Sequence, residues 1–131
     1  MSTTQLRPSE RTRPFVAVVC DVPLLGEAVR AALDFADVQT FAAKGGDLDG
    51  LLRAVRPDAL IVDSEEGAEA SVAYAREEGL PVLHISVHER PELRFYRGGA
   101  WTHAGNGEGP TEEAIRNVIA GALFAREVAG G

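Results

Sequence analysis

The chain contains 131 residues, of which 45% are hydrophobic and 25% charged, and its formal net charge is −7 at pH 7. This composition is typical of one globular domain. The negative charge argues against direct binding to nucleic acid or to an anionic membrane surface. No apolar run in the sequence is long enough to cross a bilayer, no secretory signal is present, and the one cysteine cannot form an internal disulfide. These features predict a cytoplasmic protein.

The chain divides into a tail and one domain. Residues 1–14 are polar and carry Ser, Thr, Arg and Pro, so we expect a disordered tail, followed by a single domain over residues 15–129. Short runs of β-prone apolar residues bounded by turn-forming residues predict buried strands. Strands are predicted at residues 15–20, 38–41, 59–62, 81–87 and 100–103.

Helical patterns lie between these strands. Pro23 suits the first turn of a helix, because its missing N–H needs no partner there. Asp47 is a good N-cap for a second helix, which Pro57 ends. Further helical segments are predicted at residues 68–78, as one or two turns at residues 91–97, and after the N-cap Thr111.

The alternation of five strands with helical segments predicts the fold class. Parallel strands joined by right-handed crossovers satisfy this pattern, with helices on both faces of the sheet. We therefore predict an α/β protein with a doubly wound, five-stranded parallel sheet in a three-layer sandwich.

Three polar residues lie at the carboxyl ends of the predicted first, third and fourth strands: Asp21, Asp63 and Ser86. The carboxyl ends of parallel strands meet at one edge of the sheet, where open α/β sheets place their ligand sites. Asp63 is the most informative of the three, because it ends the apolar run that follows Pro57. The pattern predicts that these side chains converge at one rim.

These landmarks resemble the receiver domain of bacterial two-component response regulators, a flavodoxin-like fold, over about residues 15–127. Residues 20–24 (CDVPL) resemble the family's acidic Asp-Asp-x-Pro-Leu segment. By the same resemblance, Asp63 corresponds to the phosphoacceptor, Ser86 to the switch hydroxyl and His103 to the switch aromatic or histidine. The resemblance also implies a Mg²⁺ site formed by Asp21, Asp63 and a backbone carbonyl near Glu65.

The chain also departs from the family pattern. Cys20 replaces the first acid, and a thiol is a poor ligand for a hard cation. Asn106 stands near the family's lysine, and the only lysine in the chain is Lys44. Phosphoryl transfer depends on positioning and on neutralising the phosphoryl oxygens. We therefore predict an incomplete phosphoacceptor pocket, with no cofactor assigned firmly and Mg²⁺ as an option.

Several of these residues have alternative interpretations. Glu65 and Glu66 either replace the missing acid or form a solvated helix start. Cys20 is either a redox sensor or a small buried hydrophobe. His84 is expected to be a core histidine, and the histidines show no spacing typical of a zinc site.

A basic stripe is predicted on the fourth helix, at Arg90, Arg94 and Arg97. Phe95, Tyr96 and Trp101 lie in the same segment, and aromatic residues beside arginine are favoured at protein interfaces. In the receiver family, the fourth helix, fifth strand and fifth helix form the partner surface. We therefore expect a protein partner or a homodimer to contact residues 92–127, against the alternative of a solvated face.

Three functions remain open from the sequence. The preferred one is a stand-alone, non-enzymatic, receiver-like signalling protein that acts by protein–protein contact. The second is a working receiver in which a histidine kinase phosphorylates Asp63 with the help of Mg²⁺. The third is a small-ligand-binding module on a similar sheet, although the chain lacks a Gly-x-Gly-x-x-Gly fingerprint.

Overall fold

Four short strands run parallel to one another in the computed structural model of the chain. The structure describes residues 13–20, 23–42, 48–86, 92–104 and 111–130. Every residue of the third strand is buried, and so are all but the first residue of the first strand, as expected for strands covered on both faces. The four strands are β1 (Phe15–Val19), β2 (Asp37–Phe41), β3 (Ala59–Val62) and β4 (Val82–Ser86).

The prediction of helical turns at residues 91–97 is wrong. Strand β5 (Glu92–Arg97) pairs antiparallel with β4, and strand β6 (Ala100–Ala104) pairs antiparallel with β5. The sheet therefore has six strands, in the order β2-β1-β3-β4-β5-β6, and not the five parallel strands that we expected. The hairpin of β5 and β6 takes the place of the predicted fourth helix.

The alternation of side chains along β5 explains this difference. Leu93 and Phe95 pack on one face of the sheet, and Tyr96 packs on the other. This period of two specifies a strand. At the end of β5 the chain reverses through Gly98 and Gly99, whose φ values of 64° and 91° glycine adopts without steric cost. A two-residue turn with positive φ at both positions matches the right-handed twist of a hairpin.

Helices cover both faces of the sheet. On one face, α1 and α4 bury their apolar residues against alternate residues of β1, β3, β4 and β5, and on the opposite face α2 and α3 cover the other set. The helices are α1 (Pro23–Ala32), α2 (Leu48–Val55), α3 (Glu65–Glu78) and α4 (Glu112–Gly130). None of the described helices is both long and apolar enough to cross a membrane.

The helix boundaries follow local hydrogen bonding. Thr111 is confirmed as the N-cap of α4, because its Oγ1 accepts a hydrogen bond of 3.0 Å from the N–H of Ala114. Helix α3 begins three residues before the predicted start, since the carbonyl of Ser64 already accepts from the N–H of Ala68. Residues 1–12 of the predicted tail, and the predicted N-cap Asp47, lie outside the described residues.

Asp58 joins the starting ends of β1 and β3. Its Oδ2 accepts a hydrogen bond of 2.7 Å from the N–H of Phe15, and its own N–H donates to the carbonyl of Phe15 at 2.7 Å. The residue is only 8% exposed, so water cannot readily replace this carboxylate. Its position immediately after Pro57 therefore has a structural role that the sequence did not reveal.

We expect the substitution Asp58→Ala to lower the free energy of unfolding by about 2 kcal/mol, because it leaves the half-buried N–H of Phe15 without this acceptor. The substitution Asp58→Asn keeps an oxygen acceptor of similar shape and should cost clearly less. Urea denaturation of the two variants measures the difference. Equal losses would contradict the assignment of the destabilisation to this hydrogen bond.

Candidate functional site

The carboxyl ends of the parallel strands lie at one edge of the sheet and carry the residues singled out in the sequence. Cys20 follows β1, Asp63 follows β3, and Ser86 is the last residue of β4. The N–H of Asp63 donates to the carbonyl of Val19 at 3.4 Å, so Asp63 lies beside the end of β1. The strand topology therefore brings these three positions to the same edge.

Asp63 is half-buried at this edge, and its Oδ1 is enclosed by the protein. Helix α3 begins only two residues later, at Glu65. A carbonyl in the first turn of a helix points along the axis toward the C-terminal end. Since α3 leads away from the strand ends, the carbonyl of Glu65 points away from the edge that holds Asp63.

Cys20 belongs to the apolar core. It is 8% exposed and clusters with the residues that β1, α1 and α4 bury between them. A Cβ added at Gly26 of α1 would come within 3.9 Å of its sulfur, so the thiol lies close to that helix. The residue that replaces the family's first acid therefore faces the core beneath α1.

Ser86 is half-buried and pairs with Glu92 in the antiparallel ladder between β4 and β5. The strand end that carries this hydroxyl is thus held by the hairpin. The resemblance implied a helix following this strand. A shift of the Ser86 backbone toward a phosphoryl group would have to disturb the pairing of β4 with β5.

Other predicted site residues are only partly described. Asp21, Lys44 and Asn106 lie outside the described residues, and Glu65 and His103 are described in their backbone but not in their side chains. Within the described part of the chain, no group of three His, Cys, Asp or Glu residues is arranged to hold a metal ion. Of the carboxylates predicted to bind Mg²⁺, only that of Asp63 lies within the described part of the structure.

The predicted partner face is divided by the strand geometry. Phe95 packs on the side of α1 and α4, whereas Tyr96 and Trp101 pack on the side of α2 and α3. Arg94 lies on the same side as Trp101, with its guanidinium carbon 5.1 Å from the ring centroid. The prediction of a basic stripe on a fourth helix is wrong for Arg94 and Arg97, because these positions of a strand point to opposite faces. Arg90, the third member of that stripe, lies outside the described residues.

A cleft of about 310 Å³ lies between α3 and the face formed by β4, β5 and β6. The two hairpin strands extend the sheet beyond β4, on the far side from β1 and β2. The lining residues are Ala68, Glu69, Val72, Ala73, Arg76, His84, Arg94 and Trp101.

Aromatic contacts organise the floor of this cleft. Trp101 meets His84 edge-on at 6.0 Å between ring centroids and Tyr96 at 5.4 Å. The Nε of Arg76 donates to the Tyr96 hydroxyl at 3.4 Å, and this contact raises the pKa of Arg76. Arg76 and Arg94 therefore face one cleft from a helix and from a strand.

Sequence reasoning placed neither Arg76 nor Glu69 in a site and treated His84 as a core residue. His84 is buried, at 6% exposure, as expected, and it also lines the cleft. The spacing of residues 69, 73 and 76 already predicts that they share one helical face of α3. The opposite wall of the cleft is not predictable in the same way, because the arginines of residues 92–97 also fit a helical spacing.

No protein-family model matches the sequence, and a search of curated proteins finds no match. Solved structures are similar in fold. The response regulator PhyR from Brucella abortus matches with a TM-score of 0.63 and 17% identity, over 93% of this chain and 52% of that one. The anti-anti-sigma factor PhyR from Bartonella quintana matches with a TM-score of 0.62 and 18% identity, again over 93% and 52%.

These matches confirm the resemblance to a response regulator at the level of the fold. The chain spans about half the length of either neighbour. At this identity the likeness concerns the path of the backbone and not the chemistry of any one side chain.

Proposed function

We propose that the chain is a receiver-like signalling module that acts by binding another protein, without depending on phosphorylation of Asp63. The observation that carries this proposal is the burial of Cys20 in the apolar core beneath α1, where the resemblance expects an acid. The receiver pattern uses the acid at this position as a Mg²⁺ ligand, and a thiol packed in the apolar core is a poor substitute for it. Under this proposal the module is a regulator and not an enzyme.

The position of Ser86 supports the same proposal. In a phosphorylation switch, contacts to the phosphoryl group must favour one conformation over another. Here the pairing of Ser86 with Glu92 opposes a movement of the end of β4 toward a phosphoryl group. A phosphoryl group on Asp63 would also lack the lysine of the receiver pattern, since the chain's single lysine is Lys44, which does not align with that position.

One structural neighbour is named an anti-anti-sigma factor, which is a name for a protein that acts on another protein. We extend this protein-binding role to the present chain. Strand β6 offers a contact surface, because it is the last strand of the sheet and Ala100 and Thr102 are exposed. The outer backbone groups of an edge strand can pair with a strand from another chain. We place the partner contact, or a homodimer contact, along β6 and the rest of the β5–β6 hairpin.

Photo-crosslinking tests this proposal. A photoreactive amino acid at Thr102 on β6 should give a discrete protein adduct in cells, and the same residue at Gln39, which is exposed on the opposite edge strand β2, should not. The adduct should form equally in a chain that also carries Asp63→Asn.

Two results would speak against the proposal. Equal adducts from both edges would remove the assigned surface. Loss of the Thr102 adduct in the Asp63→Asn chain would favour the alternative, a receiver phosphorylated by a histidine kinase with Mg²⁺. In that case, a small-molecule phosphodonor with Mg²⁺ should add the mass of one phosphate to the wild-type chain only.

A further inference from the structure

We infer that the cleft between α3 and strands β4–β6 binds a small organic anion, in which a carboxylate or phosphate group is carried on an apolar body. The inference concerns a surface distinct from the edge that holds Asp63 and does not depend on the proposed partner contact. Three features carry it: two arginines that form no ion pair with any described carboxylate, an apolar wall beside them, and a suitable volume.

The two arginines keep their hydrogen-bonding capacity for a ligand. Arg94 is placed over the ring of Trp101, and Arg76 is held through a single N–H by the hydroxyl of Tyr96. Within the described part of the chain, neither forms an ion pair with a carboxylate. Each guanidinium has five N–H donors in a planar fork that suits carboxylate and phosphate oxygens.

Two other arginines in the structure form ion pairs, whereas Arg30 and Arg116 donate to backbone carbonyls. Arg53 pairs with Asp49 at 2.7 Å and also contacts Glu77, and Arg13 lies 3.8 Å from Asp37. In a chain of net charge −7, carboxylates are plentiful. The arrangement of Arg76 and Arg94 differs from that of a solvated basic face, because two positive groups share one cleft whose described lining residues include a single acid, Glu69.

The rest of the cleft is suited to an apolar body. Ala68, Val72 and Ala73 form the wall on α3, and Trp101 lies on the sheet side. The volume of about 310 Å³ lies at the lower end of the range of small-molecule sites, which is roughly 300–1,000 Å³. This combination of an apolar wall and a few convergent charged groups is typical of such sites.

Trp101 makes the test specific, because it is the only tryptophan in the chain and lines the cleft. We would titrate the full chain with benzoate and with phenyl phosphate and follow the tryptophan emission. At least one of these anions should give a saturable change, and neutral benzamide should not. The comparison of the two anions identifies which oxyanion the cleft prefers.

Substitutions locate the binding. Arg76→Gln should weaken the apparent affinity about 10-fold or more, because it removes charge-assisted hydrogen bonds. Arg97→Gln, on the exposed opposite face of β5, is the matched control and should leave the affinity unchanged. Ala73→Leu should block binding by filling the cleft without altering charge.

The Trp101 indole N–H signal in NMR spectra provides a second readout and shows whether each variant is folded. A saturable shift of this signal with an anion, lost in Ala73→Leu, supports the inference. No saturable response to either anion, an equal response to benzamide, or equal weakening by Arg76→Gln and Arg97→Gln would overturn it.

Discussion

Replacing Cys20 by aspartate is expected to lower the free energy of unfolding by about 3 kcal/mol, although it restores the acid of the receiver pattern. The reason is the position of the side chain, which is 8% exposed and packed among the residues that β1 shares with α1 and α4. An ionised carboxylate there would lose its hydration without gaining a described cationic partner. Urea denaturation at neutral pH measures the loss.

The pH dependence distinguishes this cause from simple loss of packing. Burial raises the pKa of a carboxyl group, so protonation of the introduced aspartate becomes easier in the folded state than in the unfolded state. The stability deficit relative to wild type should therefore shrink as the pH falls toward acid values. Cys20→Ser, which is uncharged, should cost less than the aspartate at neutral pH and show no such recovery.

The opposite result would be informative about the proposed function. If Cys20→Asp kept wild-type stability and gained stability on addition of Mg²⁺, the introduced carboxylate would be reaching the sheet edge beside Asp63. The pocket would then need only this substitution to bind Mg²⁺, and the burial of Cys20 would no longer explain why the wild-type pocket is incomplete. A stable variant with no response to Mg²⁺ would contradict only the inference that a carboxylate at position 20 is buried, and would leave the proposed function unaffected.

Substituting Gly98 and Gly99 together by valine should detach the hairpin and cost about 3 kcal/mol. Both glycines have positive φ, a conformation that costs an L-residue roughly 1–2 kcal/mol per position and more when the side chain is β-branched. Because the cleft needs both Arg94 of β5 and Trp101 of β6, anion binding should be lost with the turn. Denaturation and the emission of Trp101, which should shift to the red as the ring becomes hydrated, report the change.

Two controls belong to this experiment. Gly98→Asn should behave almost as wild type, because Asn tolerates positive φ and Asn-Gly is a favoured hairpin turn. Gly121→Val lies in α4, where no neighbouring atom is within 4 Å of an added Cβ, so the same change in side chain should cost much less there. Similar losses at both sites would show that valine acts through something other than the turn.

The two sets of experiments address different parts of the molecule. The Cys20 variants test why the edge that holds Asp63 departs from the receiver pattern. The turn variants test the hairpin that replaces the fourth helix and forms one wall of the cleft. The Arg76 variant tests the anion-binding inference and the Thr102 adduct tests the protein-binding proposal, so the failure of one leaves the other standing.

Part of the site could have been predicted more fully from the sequence. Val16, Val18 and Cys20 alternate along one face of β1, and this period of two already placed the thiol on the same side as two core valines. Asp58 is different: its bond to Phe15 joins positions 43 residues apart. No local pattern indicates such a contact, which exists only once two strands lie side by side.

The pattern of apolar residues was enough to predict the parallel half of the sheet. The apolar runs at residues 15–19 and 59–62 are too short for buried helices and too continuous for loops, and they placed Asp63 at the carboxyl end of a strand. The secondary structure of residues 92–97, in contrast, depends on their tertiary contacts. Their arginines fit a helical spacing and their apolar residues fit a strand, so local preference was divided. The exposed edge of β4 resolved this, because pairing with it satisfies the backbone of β5 and buries Leu93 and Tyr96 on opposite faces.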